Sequence, residues 1–513
     1  MSSARLTSIL VLTGLLAGAG FASAQEPPLG LRGATAAGPG LPPVPSGATG
    51  LSPGSIAPPP SPGVSPRSVN TGRRALRRPA VRRSRPPTSD IVRAPFRPTL
   101  VAPGLELPVQ PLVTGLPDPV LAPVPGPARR KPVEADPYAP LGIRVGSVTL
   151  FPALGQSIGY DSNPNRTNAQ RRGSFVSQTE GELGIQSDWS RHALTGQLRG
   201  AFNAYTENPD ASRPEGAGRL GLRLDVTRDT QINIDGRYQI DTQRPDSPDL
   251  NAAVRERPII ATEGASLGVT HRFNRLLGTI QATVDRADFE DARLANGILL
   301  DQSDRNVTQY GLRGRLGYEF SPSFIPFAEI LADTRDYDRR IDNSGFRRSS
   351  DGIGARVGAA FEITRLITGE IGVGAIRRSY DDPRLRDLTS PLLEAALVWA
   401  MTPLTTIRAT AQANVDETTV PNATGVRTIR GALEVSHALR RNLIVTAGIS
   451  ASDFDYSGVR INEQGFGALV RADYKLTRSL GIRASYSHER ISSSIPNSSY
   501  DSDVFLLGMR YTP

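Results

Sequence analysis

One feature restricts this chain more than any other: an alternation of period two, held over ten or more residues at a time and repeated through most of its length. In "RHALTGQLRGAFNAY", Leu194, Gly196, Leu198, Gly200 and Phe202 fall on one side, and Thr195, Gln197, Arg199, Ala201 and Asn203 on the other. "TQINIDGRYQID" sets Ile232, Ile234, Gly236, Tyr238 and Ile240 against Asn233, Asp235, Arg237, Gln239 and Asp241. "TTIRATAQANVD" sets Ile407, Ala409, Ala411, Ala413 and Val415 against Arg408, Thr410, Gln412, Asn414 and Asp416. Successive strand side chains project to opposite faces, so each segment reads as a strand with one apolar and one polar face. Strands of ordinary sheets usually run to about five or six residues, and these are about twice that.

Punctuation gives the topology. Tight turns recur at 190–192, 227–230, 273–276, 321–323, 364–366, 402–404, 439–442 and 477–479, and between them lie polar stretches such as "YTENPDASRPEG" and "DTQRPDSPDLNAAVRERP". Each interval of roughly 40 residues accommodates two long strands, not the four short ones of a propeller blade. Eight turns join sixteen strands, and one strand on either side (about 148–160 and 500–511) brings the total to 18. The expected fold is all-β: a transmembrane antiparallel up-and-down β-barrel of about 18 strands, with both ends of the barrel chain on the short-turn side. An even strand number and short turns at one end are the pattern of bacterial outer-membrane barrels, whose short turns face the periplasm. Closed barrels and helices alone satisfy every backbone polar group inside lipid, and after the N-terminal segment no run of 18 apolar residues offers a helical span. Aromatic residues near the short turns (Trp189, Phe273, Phe320, Phe361, Trp399, Tyr474) and near the longer loops (Tyr160, Tyr205, Tyr238, Phe289, Tyr337, Tyr380, Tyr456, Tyr486) suggest two interfacial girdles.

The rest of the chain is of another kind. Residues 1–24 combine Arg5, a short apolar run and an Ala-Ser-Ala ending, the pattern of a secretory signal peptide. Residues 25–140 hold 28 of the 43 prolines and are expected to be a disordered periplasmic tail. Of the net charge of +9, the tail supplies 14 basic against 6 acidic residues, which with Arg5 leaves 44 of each sign in residues 141–513. The basic character belongs to the tail, above all to the patch Arg73, Arg74, Arg77, Arg78, Arg82, Arg83 and Arg85. Such a patch suits contact with anionic material, a periplasmic protein or peptidoglycan, or else a solubilising linker; export excludes nucleic acid.

The segment "GSVTLFPALGQSIGYDSNPNRT", leading the long alternating run, resembles the entry strand of outer-membrane barrels grouped as putative β-barrel porins. The resemblance covers Gly142 to Pro513. It implies an outer-membrane location and, from the family's association with capsular or extracellular polysaccharide export, a polysaccharide conduit; it carries no catalytic residues. One departure is that "SDVFLLGMRYTP" alternates through Phe505, Leu507, Met509 and Tyr511 but ends on Thr512 and Pro513 instead of an aromatic residue.

Chemistry is sparse. His192, His271, His437 and His488 have no metal-ligand spacing, there is no cysteine, and Ser487 and His488 are strand neighbours that face opposite ways. No enzyme, cofactor or metal is expected. Projecting the alternation inward gives lumen-facing candidates Arg199, Arg223, Arg237, Arg313, Arg315, Arg356, Arg408, Arg430, Arg471, Arg483, Asp235, Glu319 and Glu362, together with Asp225, Glu370, Glu394, Glu434 and Asp473. Two readings stay open at this point. The arginines form a ladder that passes anionic solutes or sugars, or they pair with the acids and stiffen the wall. Correspondingly, the chain reads as an outer-membrane channel for polysaccharide or anionic solutes, or as a structural barrel tethered through its tail; its partners are outer-membrane lipid and one of these solutes or anionic surfaces.

Overall fold

The computed structural model describes residues 138–513 apart from 169–170, 244–246, 251–253, 255–257, 295 and 365. The signal peptide and nearly all of the tail, including the arginine patch, lie outside the described residues. Eighteen long strands make up the body. They are β1 Val148–Asp161, β2 Ser174–Ser187, β3 Ala193–Tyr205, β4 Arg213–Asp225, β5 Thr230–Thr242, β6 Ile259–Phe273, β7 Leu276–Phe289, β8 Val307–Tyr318 and β9 Phe324–Tyr337. There follow β10 Ser350–Ile363, β11 Ile367–Tyr380, β12 Leu388–Thr402, β13 Thr405–Asp416, β14 Gly425–Arg440, β15 Leu443–Ser457, β16 Ile461–Lys475, β17 Leu480–Ser493 and β18 Tyr500–Tyr511.

Each strand pairs antiparallel with its sequence neighbours, and β1 meets β18 in register from Leu154↔Tyr511 to Asp161↔Val504. The sheet is therefore closed, as the alternation requires. β18 stops short of the lower end of β1. A short strand, Ile143–Val145, pairs with Val148–Leu150 there and occupies the exposed edge. The hairpin is tied to the first short turn by Arg144 to Asp188 (2.8 Å) and by Trp189 Nε1 donating to Ser147 Oγ (2.8 Å).

Burial alternates along the wall, most cleanly in β9. One face carries Leu154, Ile158, Leu220, Leu267, Ile280, Leu312, Ile330, Ile353, Val373, Ile449, Val470, Phe505 and Leu507, all exposed. In water each such side chain would forgo about 1.5–3 kcal/mol of transfer energy, so the ring of them requires lipid. Fourteen residues at about 3.3 Å rise and about 40° tilt span roughly 35 Å, some 10 Å more than the apolar band of such barrels, which lifts the loop-end residues clear of the hydrocarbon.

Two expectations need correction. Among the aromatics, Tyr160 and Tyr486 at the loop end, joined by Phe175 and Tyr310, and Trp189, Phe273, Phe320 and Tyr474 at the turn end do face outward. Tyr205, Phe289, Tyr337, Tyr380 and Tyr456 instead turn inward, into small apolar clusters under the loops. Proximity to a loop is the wrong guide; parity along the strand decides the face. The loops, moreover, are not uniformly long: β15 and β16 are joined by 458–460 alone, a turn that needs the left-handed φ of +99° that Gly458 supplies.

Candidate pore lining and mouth

Eighteen strands about 4.8 Å apart and tilted about 40° enclose a ring roughly 36 Å across between backbones. What narrows that ring, and what lines it, determines what the barrel does.

The lining is charged, and its charges are matched. All ten arginines expected in the lumen lie on the inner face and each pairs with an acid. Arg199 meets Glu180 at 2.6 Å, and Arg483 reaches Asp473 at 2.7 Å and Glu180 at 3.6 Å. Arg471 meets Asp473 at 3.1 Å, Arg408 meets Glu434 at 3.1 Å, and Arg430 meets Asp416 at 3.2 Å. Arg223 approaches Asp225 at 3.5 Å, and Arg237 pairs with Asp285. Arg356 bridges Glu329 (2.7 Å) and Glu394, Arg313 approaches Glu329 at 3.5 Å, and Arg315 takes both oxygens of Glu370 at 2.7 and 2.9 Å. Glu319 pairs with Arg272, and Asp235 accepts from Ser266 Oγ at 3.4 Å. Glu362 has no side-chain partner among the described residues. The wall-pairing arrangement is thus the one the inner face adopts.

Several of these pairs skip a strand, which small residues make feasible. Arg510 of β18 reaches Glu182 of β2 across Gly155 and Ala153 of β1. In the β8–β11 group, Gly358 lies under the Phe327 ring, where a Cβ would sit 2.6 Å from the ring and 2.1 Å from Ile371 O. The Arg315 guanidinium rests 3.6 Å from the centroid of that ring, adding a cation–π contact to its carboxylate fork.

The mouth at the loop end is narrowed by an element no strand pattern announces. Pairing of β12 with β13 stops at Leu393↔Ala413, whereas β13 stays paired with β14 up to Asp416↔Val426. The tip of β13 leaves β12 and leans inward. Val415, which alternation alone assigns to the lipid face, is 4% exposed and packs on Leu331, Ile376, Leu388 and Leu392 from the inner faces of β9, β11 and β12. The loop that follows, 417–424, is held from several sides. Glu417 pairs with Arg335 and accepts from Tyr337 Oη at 2.6 Å. Arg348 donates to the carbonyls of Ala423 (2.6 Å) and Val420 (3.0 Å), and Asp249 accepts from Thr418 Oγ1 (2.7 Å) and Thr419 N (2.8 Å). Val420 and Ala423 pack on Val426, Phe454 and Tyr456.

A second inward anchor closes the seam of the barrel. Arg166, in the loop after β1, is buried at a left-handed φ of 56°. Its Nη1 lies 2.8 Å from Asp161 and its Nε 3.4 Å from Glu489 of β17. Asp161 also accepts from Ser502 Oγ of β18 and Tyr205 Oη of β3, both at 2.7 Å. Burial alone would lower the pKa of Arg166, but the carboxylates of Asp161 and Glu489 hold it above its usual value, so it remains charged.

The model of a family described as "Putative beta-barrel porin 2" matches residues 136–512. A search of curated proteins finds no match. Among solved structures, the chain is similar to the outer membrane protein opdK from Pseudomonas aeruginosa (12% identity, TM-score 0.35, covering 71% of this chain and 99% of that one). It is also similar to OccAB4 from Acinetobacter baumannii (11%, 0.37, 72% and 98%) and to the siderophore receptor PirA from Pseudomonas aeruginosa (10%, 0.35, 71% and 80%).

Proposed function

Since the chain belongs to the putative β-barrel porin 2 family and folds as a closed 18-stranded porin-like barrel of the outer membrane, we propose that it is a channel for small polar or anionic solutes whose mouth is narrowed by the segment 415–424. The observation that carries this reading is the inward lean of the β13 tip. Its buttress of Leu331, Ile376, Leu388 and Leu392 holds the narrowed mouth in a fixed shape, as a size-selecting channel needs. The paired lining supports it as well: matched charges keep the wall hydrated and rigid without a net field that would trap a charged solute. Polysaccharide export is the weaker reading, because a polymer would need the loops anchored by Asp249, Arg335 and Arg348 to clear the mouth together.

In this reading residues 1–24 direct export and the basic tail lies in the periplasm. Support comes from the place where the barrel chain begins: Lys475 Nζ donates to Tyr138 O at 3.4 Å beside a short turn, and short turns face the periplasm in this class of barrel.

Planar-bilayer recording tests the proposal. The wild-type protein is expected to give a small ohmic conductance, and Arg348→Ala, which frees the carbonyls of Val420 and Ala423, a larger one. Absence of conductance from both proteins, each inserted and folded, would remove the channel reading.

A further inference from the structure

Of the three arginines around the mouth cavity, two are neutralised by the wall. Arg378 is spent on Asp333, and Arg356 on Glu329 and Glu394. Arg335 differs. Asp333 comes no nearer than 3.8 Å, and its close partner, Glu417, comes from the loop. Arg335 is buried and oriented by Gln309, whose Oε1 accepts from its Nε at 3.0 Å while Gln309 Nε2 donates to Asp333 at 3.0 Å. Its Nη2 donates to Val415 O at 3.1 Å, so Nη1, with the hydroxyl of Tyr337, is what remains for a carboxylate.

Next to this cradle lies a cavity of about 70 Å³ lined by Arg335, Arg356, Arg378, Gln412, Asn414 and Leu392, among others. Among the described residues, three polar atoms in its lining have no hydrogen-bond partner: Nε of Arg356, Nε of Arg378 and Oδ1 of Asn414. The two arginines are 3% and 1% exposed. Buried polar atoms are rarely left without a partner, and such atoms around a cavity mark a place for a molecule with groups to offer them.

We propose that Arg335 and Tyr337, positioned by Gln309, form a carboxylate-binding subsite in which Glu417 is the resident occupant, and that small hydroxylated monocarboxylates such as sugar acids compete with it. The exchange leaves no group unpaired. The incoming carboxylate takes the Nη1 and Tyr337 donors that Glu417 releases, and Glu417 moves into the aqueous mouth. Hydroxyls on the ligand accept from the free Nε atoms and donate to Asn414 Oδ1, while Leu392 and Ile376 face its C–H edges. An uncharged sugar cannot make the exchange, because it would leave the buried Arg335 without a counter-charge. The inference deepens the channel reading by naming a solute class at the same mouth, but binding does not require conduction.

The test is equilibrium binding of radiolabelled glucuronate to the full-length protein in detergent at fixed ionic strength, with glucose as neutral competitor. Wild-type protein is expected to bind weakly. Glu417→Gln, which keeps the shape of the side chain and removes its charge, should bind at least about tenfold more tightly, and adding Tyr337→Phe or Arg335→Gln should abolish that gain. A Glu417→Gln variant that binds glucuronate no better than wild type, or a gain that glucose competes away equally, would overturn the proposal. Because the assay reads binding, a conducting protein without the gain removes the subsite and leaves the channel, whereas a non-conducting protein with the gain does the reverse.

Discussion

Replacing Arg166 by alanine should release the first loop from the seam of the barrel, and the size of the effect follows from what the guanidinium leaves behind. Asp161 and Glu489 are both buried, at 0% and 4% exposure. Removing one partner of a buried ion pair typically costs about 3–5 kcal/mol, because the remaining charge is neither solvated nor paired. Here the lower end applies. Asp161 keeps the hydroxyls of Ser502 and Tyr205 and the N–H of Asn163, Glu489 keeps Tyr500, and alanine carries a smaller side chain into the same left-handed conformation. A cost of about 3 kcal/mol raises the local opening equilibrium roughly 150-fold. Amide hydrogen exchange at Asn163–Thr167 measures it directly, in the intact barrel and without global unfolding. In the double variant Arg166→Met with Asp161→Asn, the orphaned charge is gone from that side, and protection should recover by about 1 kcal/mol or more. An exchange rate in Arg166→Ala within threefold of wild type, or a double variant less protected than the single one, would refute the argument that a buried counter-charge holds this seam.

Three further outcomes are expected. Ile330→Arg places a guanidinium on the lipid face and should cost about 2–4 kcal/mol in urea titrations of the protein in liposomes, the amount found for arginine near the bilayer midplane. Gly358→Val drives a side chain into Ile371 O and the Phe327 ring and should destabilise by about 1–3 kcal/mol, with Phe327 and Arg315 displaced in the variant's structure. In the loop after β11, the Arg384 side chain, with the N–H groups of Arg347 and Arg384, holds the Asp382 carboxyl well below the usual carboxylate range. A depressed folded-state pKa contributes stability that is fully present above the unfolded value of 3.8 and fades as pH falls below it. Exchange protection of Arg347 N–H should therefore persist at pH 4 and decline in more acidic solution, and Asp382→Asn should remove that dependence.

The architecture was legible because two local signals agree. A strand that separates lipid from a polar interior must alternate, and each return toward the short-turn side must fit in a few residues, so "TRL" and "TPL" mark hairpins as plainly as any contact does. Parity also places Arg199, Arg356 and Arg483 inside. Their partners are another matter: Arg315 pairs with Glu370, and Arg510 with Glu182 at the opposite end of the chain, and which charges meet depends on shear and on which intervening positions are small. The mouth was not legible at all. "TTIRATAQANVD" looks uniform, with Val415 as one more lipid-facing residue, and nothing local tells that its tip gives up its ladder with β12 for a nest of side chains on the inner faces of β9, β11 and β12. Tyr205 and Tyr337 offered a signal that was available: they share parity with Arg199 and with Arg335, which assigns them to the inside.

The central claim is that one face of every long strand meets lipid and the other the enclosed interior. A nitroxide scan of β9 from Phe324 to Tyr337, in protein reconstituted into liposomes, tests it most directly. The barrel predicts that labels at Ala328 and Ile330 are relaxed by oxygen dissolved in the bilayer while those at Glu329, Leu331 and Asp333 are not, in strict alternation. Oxygen accessibility that follows a 3.6-residue period, or that is uniform along the segment, would contradict it.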